Sequence, residues 1–343
     1  MGLSLHRLAL EHGHASRVDA PELPGMPEEI APQIERGSQE ARRWSWVRRA
    51  RRRRQAYAPE LVHAHLATPA MAGAAWLIAA GAPLVLTFQL LPDGHTFPRD
   101  YLLRLPSAFV LRRLARRRGA HFVAVSRNDR ERLSARFPGA PLALAPNRSV
   151  PQWTAAEPSY ALPYPEGVVR LLSVGRLVTQ KGFDRMLAAL ASAAVRELPW
   201  HWLIVGEGPE RGALERSIAS LGLNDKVQLL GALDARGLFQ QADMVLCPSR
   251  YEGAPLVPTE ALQAQVPVLL SRIEPHLELA GALEPGILPA AESVWPSQLE
   301  PLLRAADARA RLVEQQAALR CEDPAHALWS DYLGVYSRVL SHA

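Results

Sequence analysis

Two carboxylates with seven residues between them, Glu252 and Glu260, are the first candidates for chemistry in this sequence. An apolar segment, 242–248, leads into the first carboxylate, and good helix formers, 259–264, surround the second. This pattern predicts that Glu252 lies in the loop after a strand and that Glu260 lies in the first turns of the next helix. Ligands of open α/β sheets bind at this place, outside the carboxyl ends of the strands.

The turn between the two glutamates consists of small residues, from Gly253 to Pro255. Such a turn can leave backbone N–H groups free at the start of the next helix, where they bind oxygen-rich ligands. An apolar run at 266–270 predicts a buried strand after that helix. The competing interpretation is an ordinary surface loop with two solvated carboxylates, since charged loop residues are common.

A second candidate site combines two cations. The strand-like residues 168–174 run into Gly175 and Arg176, and Lys181 precedes a predicted helix at 183–194. Two positive charges at a helix start suit a diphosphate, because charge-assisted hydrogen bonds add to the helix dipole. Only two of the 39 Lys and Arg residues are lysines. A surface basic pair is the competing interpretation, but an Arg would not copy the compact charge of a lysine.

The elements that must position these residues alternate in the manner of a parallel sheet. A short strand at 61–65 places His63 and His65 on one face, because alternate strand residues point the same way. A helix at 67–81 and a strand at 83–88 follow. This β-α-β order predicts parallel sheets that are covered on both faces.

The Glu-x7-Glu segment, the Gly-Arg and Lys-Gly pairs and the Pro-Val strand resemble the retaining glycosyltransferases of family 4. The resemblance is strong over 171–271 and weak before residue 56. It implies the GT-B fold, which is α/β with two doubly wound, parallel-sheet, Rossmann-like domains facing a cleft. An acceptor-side domain is expected over 1–155, with a returning helix at 326–343, and a nucleotide-sugar donor domain over 156–325.

The resemblance also implies roles for single residues. Glu252 would accept a hydrogen bond from a donor-sugar hydroxyl, and Glu260 would hold the ribose. Arg176 and Lys181 would stabilise the departing diphosphate. The other residues that the resemblance places in donor binding are Gly175, Gly253, Ala254, Pro255, Leu256 and Val227. The residues that it places in a sugar or acceptor pocket are His63, His65, Gln89 and Ser126.

Two features depart from the family pattern. Gln89 stands where the family commonly has a histidine, and an amide cannot carry a positive charge. Residues 3–14 have helical spacing, and in the family this helix follows a first strand and a Gly-rich loop. That strand and its phosphate-facing glycines are therefore expected to be missing, through a late start codon or in a shortened or inactive relative.

Length and composition agree with a two-domain globular protein. The chain has 343 residues, of which 48% are hydrophobic, so it can bury sizeable cores. Its two cysteines indicate neither a disulfide framework nor a metal site, which fits a reducing compartment. Neither a signal peptide nor a bilayer-spanning run is recognisable. The expected location is the cytoplasm, including the inner face of the membrane.

Positive charge is concentrated in two arginine-rich segments. The formal net charge is +5, and the arginines cluster in Arg42–Arg54 and Arg112–Arg118. Such helices attract anionic lipid head groups, at about 1 kcal/mol per residue near a membrane. An arginine-rich solvated face is an equally weighted interpretation, and nucleic acid binding is a less favoured third.

The expected activity is sugar transfer with retention, from a nucleotide diphosphate-sugar to a hydroxyl of a glycan or lipid-linked glycan, in cell-surface polysaccharide synthesis. The nucleotide-sugar is a substrate, and neither a cofactor nor a metal is expected. Two alternatives stay open. One is a nucleotide-sugar epimerase of the same fold, and the other is an inactive sugar-nucleotide-binding or membrane-associated partner.

Overall fold

The chain divides into two compact units, residues 1–147 with 325–343, and residues 148–324. The computed structural model describes residues 18–20, 34–36, 51–52, 55–56, 58–66, 72–89, 109–117, 119–148, 160–235 and 237–341. The domain boundary predicted between residues 155 and 156 lies outside these residues, and so does the loop 91–99. Of the predicted basic helix Arg42–Arg54, only residues 51 and 52 are described, and both are helical.

The first unit contains a four-stranded parallel sheet whose strands lie in chain order. The strands of the unit are β1 (Val18–Ala20), β2 (Ile34–Arg36), β3 (Val62–Leu66), β4 (Leu84–Phe88), β5 (Ala120–Ala124) and β6 (Leu142–Leu144). The sheet consists of β3 to β6, whereas β1 and β2 pair with each other in a separate parallel sheet. Its helices include α1 (Ala72–Ala79) and α2 (Arg127–Arg136), with further helical backbone at 109–115. The first strand that is expected to be missing would precede the helix predicted at 3–14, and that helix lies outside the described residues.

The second unit contains a five-stranded parallel sheet in the order β11-β10-β7-β8-β9. Its strands are β7 (Val169–Val174), β8 (Trp200–Val205), β9 (Val227–Gly231), β10 (Met244–Cys247) and β11 (Val268–Leu270). Its helices are α3 (Phe183–Leu190), α4 (Arg211–Ser220), α5 (Leu256–Gln263), α6 (Glu274–Ala280), α7 (Trp295–Arg304) and α8 (Ala306–Gln316). These strands and helices make both units α/β with parallel sheets, as the sequence predicts.

The last helix, α9 (Pro324–Ser341), belongs to the first unit although it follows the second unit in the chain. Its residues Leu328, Tyr332, Val335 and Val339 are fully buried. No helix in the part of the chain that the structure describes is both long enough and apolar enough to cross a membrane.

The central strands are apolar on both faces, because helices cover both sides of each sheet. Strands β4, β5 and β8 are buried along their whole length. Continuous apolar runs of this kind are typical of parallel sheets. The polar atom of the buried Trp202 side chain still has a partner, since its Nε1 donates to Ser173 Oγ at 3.1 Å.

A buried glutamine completes the hydrogen bonding of the edge strand β11. Gln316 is 2% exposed. Its Oε1 accepts from the Val268 N–H at 3.0 Å, and its Nε2 donates to the Val268 carbonyl at 2.8 Å and to the Pro285 carbonyl at 3.1 Å. The side chain therefore bonds to the strand as a neighbouring backbone would, which satisfies groups that an edge leaves unpaired.

Several helices differ in extent from those that the residue pattern predicts. The helix predicted at 183–194 ends at Leu190. The pattern of residues 234–241 also predicts a helix, but the structure has only a single 3₁₀ turn, Phe239–Gln241, because Gly237 adopts a left-handed conformation with φ +71° just before it. Residues 298–320 have the pattern of one helix, whereas the structure has two helices, which are separated by Ala305 in an extended conformation. The break lets both helices turn apolar residues toward the same core.

Candidate functional site

The sheet of the second unit has a switch point between β7 and β10. From β7 the chain continues to β8 and β9 on one side, while β10 and β11 lie on the other side. In doubly wound sheets such a point opens a crevice outside the carboxyl ends of the strands, where ligands bind. Gly175 and Arg176 follow β7, and the loop to Glu252 follows β10. Both sequence-predicted clusters therefore come together at one switch point.

The lysine of one cluster and the first glutamate of the other form an ion pair. Lys181 Nζ donates to Glu252 Oε1 at 2.7 Å, and the two side chains are 19% and 9% exposed. Ser249 Oγ donates to the same carboxylate oxygen at 2.7 Å. Gln180 Nε2 donates to the other oxygen, Oε2, at 3.2 Å and to the Tyr251 carbonyl at 3.0 Å. Both carboxylate oxygens of Glu252 are thus held by protein donors.

The backbone brings the two loops close together at a glycine. Lys181 ends a 3₁₀ turn, Thr179–Lys181, and Gly182 then adopts φ +66° before α3 begins. A Cβ atom on Gly182 would lie 2.1 Å from the Pro248 carbonyl oxygen, so only glycine allows this approach. Arg250 closes the same junction, since its Nη1 and Nη2 each donate to a carboxylate oxygen of Asp184 at 2.7 Å.

Arg176 is the cation of this site that the protein leaves available. Its side chain is exposed and makes no hydrogen bond or ion pair with any other residue that the structure describes. The neighbouring Gly175 leaves room for the lysine, since a Cβ at this position would lie 3.3 Å from Lys181 Cε. The site therefore has one cation that is paired within the protein, Lys181, and one that can reach a ligand, Arg176.

Glu260 lies in the second turn of α5, which begins at Leu256 directly after Pro255. Burial raises the pKa of its carboxyl group to about 7. Within the described ranges its side chain has no hydrogen bond or ion pair. The start of α5 also lacks a side-chain cap, which leaves the N–H groups of its first turn open to a ligand.

Val227 does not belong to this cluster. It is the first residue of β9, lies in the hydrophobic core and is 4% exposed. The carboxyl end of β9 is Gly231, which lies at the other end of the strand. The side chain of Val227 packs in the core at the amino end of β9, away from the switch point, and its predicted contact with the donor stays a prediction.

In the first unit, the two predicted histidines are part of a hydrogen-bond network with α9. His63 Nδ1 lies 2.8 Å from the Tyr336 hydroxyl, and its Nε2 lies 2.7 Å from Thr87 Oγ1. The ring of His65 stacks at 4.2 Å from that of His63. Burial keeps the pKa of His63 well below its usual range and lowers the pKa of His65 to about 3. Both imidazoles are therefore neutral at pH 7.

Gln89 and Ser126 also have partners within the first unit. Gln89 Nε2 donates to His65 Nδ1 at 3.1 Å, and its Oε1 accepts from Asn147 Nδ2 at 2.9 Å. Ser126 caps α2, since its Oγ accepts from the Asp129 N–H at 3.1 Å. A capping serine of this kind stabilises a helix start by about 1 kcal/mol. Helix capping is therefore sufficient to explain a serine at position 126.

Sequence reasoning missed the residues that support the site rather than the residues at its centre. Gln180 and Ser249 lie close in sequence to the predicted site residues Lys181 and Glu252, but their residue types alone did not predict hydrogen bonds to Glu252. His276 is also close to the pair and lines a small cavity beside it. The only signal in the sequence was a histidine in the helix after a buried strand. Tyr336 of α9 was missed because its partner, His63, is 273 residues away in the sequence.

Two family models match the chain, one for each half. "Glycosyltransferase Family 4" matches residues 3–147, and "Glycosyl transferases group 1" matches residues 161–316. Together they account for most of the chain, in the order expected for a two-domain glycosyltransferase.

Curated relatives are similar over part or most of the chain. A GDP-mannose:cellobiosyl-diphosphopolyprenol alpha-mannosyltransferase of Xanthomonas oryzae is 35% identical over 123 residues, which are 34% of this chain and 32% of the relative. A 2-deoxystreptamine glucosyltransferase of Streptomyces kanamyceticus is 26% identical over 302 residues, which are 82% of this chain and 76% of the relative. The match thus spans about a third of the first relative's length and about three quarters of the second.

Solved structures share the fold over nearly the full length. Sucrose-phosphate synthase from Thermosynechococcus elongatus has a TM-score of 0.78 at 18% identity, with 99% of this chain and 92% of that chain covered. Anabaena HepE, solved with UDP and glucose, has a TM-score of 0.75 at 16% identity, with 98% and 96% covered. The chain therefore has the two-domain GT-B fold, and its two halves match a family 4 and a group 1 glycosyltransferase model.

Proposed function

We propose that this chain transfers a sugar, with retention, from a nucleotide diphosphate-sugar to a hydroxyl of a glycan or lipid-linked glycan. The observation that carries the proposal is the largely buried Lys181–Glu252 pair at the switch point of the second sheet. It combines a cation, which suits a diphosphate, with a carboxylate, which suits a sugar hydroxyl. The structural neighbour solved with UDP and glucose supports this class of donor.

Lys181 can serve the carboxylate and the diphosphate at once. An ammonium group has three N–H donors, and among the described residues Glu252 takes one of them. A remaining donor, together with the exposed Arg176 at the end of β7, stabilises the negative charge that develops on the departing diphosphate. Because Lys181 is fixed by its ion pair before the ligand arrives, it does not have to be ordered on binding.

Glu252 and Glu260 hold the two ends of the donor in this proposal. Glu252 is fixed by Lys181, Ser249 and Gln180, so its remaining lone pairs accept from a sugar hydroxyl in one orientation. Glu260 accepts from ribose hydroxyls. The backbone N–H groups of residues 253, 254 and 256 bind oxygens of the sugar and the diphosphate between them.

The reaction proceeds on one face of the sugar. The bond between the anomeric carbon and the diphosphate oxygen breaks, and a bond to the acceptor oxygen forms on the same face. The acceptor hydroxyl loses its proton to the departing diphosphate oxygen. This route assigns positioning and electrostatic stabilisation to the protein and leaves proton transfer to the substrates.

The charge of the first unit and the name of one relative support the proposed acceptor class. Helical backbone at 109–115 exposes Arg112, Arg113 and Phe109, and helical Arg51 and Arg52 are exposed as well. The name of the Xanthomonas relative gives a diphosphopolyprenol-linked acceptor. A lipid-linked acceptor at an anionic inner membrane surface, in cell-surface polysaccharide synthesis, is therefore the proposed setting.

A donor screen tests the proposed function. Purified protein is incubated with UDP-, GDP-, dTDP- and ADP-sugars, and nucleotide binding is measured beside release of nucleoside diphosphate and of free or epimerised sugar. We expect one donor to bind and to be slowly hydrolysed in the absence of acceptor. Epimerised nucleotide-sugar would instead identify an epimerase, and binding without any turnover would identify an inactive binding partner.

A further inference from the structure

We infer that His276 is a positioning residue, which holds the Lys181–Glu252 pair in place through one enclosed water molecule. The inference concerns the same site as the proposed function. It rests on that function only where its test measures donor turnover. His276 is completely buried and lies on α6, the helix that follows β11. No sequence motif assigned it a role.

One nitrogen of His276 has a partner and the other does not. The Nδ1 atom lies 2.8 Å from the Ser271 carbonyl oxygen, which fixes the proton on Nδ1, since only an N–H can donate to a carbonyl. Burial lowers the pKa of the ring to about 4, so the imidazole is neutral at pH 7. The Nε2 atom is therefore an acceptor, and it is buried without a hydrogen-bond partner among the described residues.

A buried acceptor without a partner destabilises the folded protein, so such a group needs an explanation. His276 lines a small cavity in which the centre of a water molecule can move over about 10 Å³. This is close to the space that one water needs. The other polar side chains that line the cavity are Lys181, Ser249 and Glu252.

The cavity supplies the donors and acceptors that a single water requires. A water there donates one hydrogen to His276 Nε2 and the other to an oxygen of the lining, and it accepts from the Lys181 ammonium group. Buried waters typically make about three such bonds. The water thereby connects the neutral Nε2 acceptor of His276 to the ammonium group of Lys181.

A second connection reaches Glu252 through β11 and the loop after β10. His276 Nδ1 contacts Ser271, and Ser271 Oγ donates to the Ser249 carbonyl. Ser249 Oγ then donates to Glu252 Oε1 at 2.7 Å. His276 is thus tied to both members of the ion pair, which a side chain that only fills space would not be.

Two substitutions of His276 separate its two nitrogens. In His276→Asn the amide can still donate to the Ser271 carbonyl but does not reach the cavity. In His276→Gln the amide reaches the place of Nε2 and can contact the water. We expect donor turnover to fall about tenfold in the Asn variant, with the donor KM nearly unchanged, because one hydrogen bond to the network is lost. The Gln variant should stay within about threefold of the parent.

His201 offers a matched control in the same unit. It is buried on β8, burial lowers its pKa, and its Nε2 also has no partner among the described residues, but it does not line the cavity. His201→Asn should lower the melting temperature without changing turnover. Equal turnover in the two His276 variants, or an equal loss in His201→Asn, would overturn the positioning role.

A crystal structure gives a readout that does not depend on activity. We expect electron density for one water at about 2.7–3.0 Å from His276 Nε2, and its loss in His276→Asn together with a shift of Lys181 Nζ away from Glu252. A dry cavity in the parent protein would contradict the inference even if the donor screen succeeded. A water at this place, with no donor turned over, would instead leave the inference standing and remove the proposed function.

Discussion

At the scale of single residues, the site keeps two opposite charges in a largely buried place by pairing them. Lys181 and Glu252 neutralise each other, and Ser249 and Gln180 add donors to the carboxylate. Removing one member of a buried pair leaves the other uncompensated, at a cost of about 3–5 kcal/mol. Glu260 is the contrasting case, because it is half-buried and has no hydrogen bond or ion pair within the described part of the chain.

The substitution Glu260→Gln should stabilise the ligand-free protein above neutral pH and weaken nucleotide binding. Burial raises the folded-state pKa of Glu260 to about 7, above the unfolded value of 4.5. Its contribution to stability is therefore present below pH 4.5 and is lost as the pH rises through 7. At pH 8 we expect the Gln variant to gain about 1–3 kcal/mol in the free energy of unfolding, measured by urea denaturation, and to bind nucleotide about tenfold more weakly.

Glu252→Gln is the matched comparison for this prediction. It should lower sugar transfer more than nucleotide binding, and it should lose stability, since Lys181 is then unpaired. If both glutamine variants changed thermal stability alone, with binding and transfer intact, the two carboxylates would be structural.

At the scale of elements, apolar runs predicted most strands and helices, because burial on both sheet faces leaves a continuous pattern. The strand ends also predicted where Arg176, Lys181 and Glu252 meet. Local backbone effects were not predictable in the same way: Gly237 could have continued or ended a helix, and Ala305 carries no breaking signal.

The support of the site was the least predictable part, because it depends on contacts between residues far apart in the chain. Gln180 reaches Glu252 across 72 positions, and His63 reaches Tyr336 across 273. A sequence pattern gives the face on which a side chain lies, but not which distant atom completes its hydrogen bond. Val227 shows the same limit, since the pattern predicted its strand but not that its side chain packs in the core at the amino end of that strand.

The substitution Tyr336→Phe should destabilise the first unit. The phenylalanine keeps the packing of α9 but removes the hydroxyl that pairs with His63 Nδ1 at 2.8 Å. The hydrogen bond is part-buried, so its loss should cost about 1 kcal/mol. Thermal and urea unfolding should show this loss, whereas Tyr160→Phe, at a side chain 41% exposed, should stay within about 0.5 kcal/mol of the parent. Equal stability of both variants would show that α9 is not held by this network.

Acidification below pH 6.5 should lower the free energy of unfolding of the first unit. The folded-state pKa values of His63 and His65 are lowered, the latter to about 3, while the unfolded value is 6.5. The unfolded chain therefore binds more protons below pH 6.5, and stability falls as the pH drops from 6.5 toward the folded values. The slope should reach at most about 1.4 kcal/mol per pH unit for each histidine. Denaturant titrations between pH 7 and pH 4 measure it, and a flat profile would contradict the neutral, buried state of this pair.

At the scale of the whole molecule, the two units differ in what their surfaces offer. The second unit carries the switch-point site, and the first unit carries exposed arginines on helical backbone at 51–52 and 109–115. The net charge of +5 is small for the chain, so the arginine clusters matter through their local density.

Anionic vesicles should recruit the protein through the arginine segment that contains Arg51 and Arg52. Sedimentation with vesicles should rise with anionic lipid and fall with salt, because charges are screened within about 10 Å at 0.1 M. Neutralising Arg51 and Arg52 to glutamine should weaken recruitment by about 30-fold, at about 1 kcal/mol per residue. The same change at the exposed Arg216 and Arg311 of the second unit is the control. Equal recovery on neutral vesicles, or equal effects of the two double variants, would remove the membrane role.

The central claim is that Lys181 stabilises a departing diphosphate, and the second lysine of the chain provides the direct comparison. Lys226 lies 4.9 Å from the Trp200 ring and donates to the Leu198 carbonyl, away from the switch point. With the donor found in the screen, Lys181→Ala should lower turnover by about 10²–10³-fold, as loss of a transition-state contact does. Lys226→Ala should lower the melting temperature and leave turnover within about twofold. A folded Lys181→Ala protein with the turnover of the parent would contradict the account.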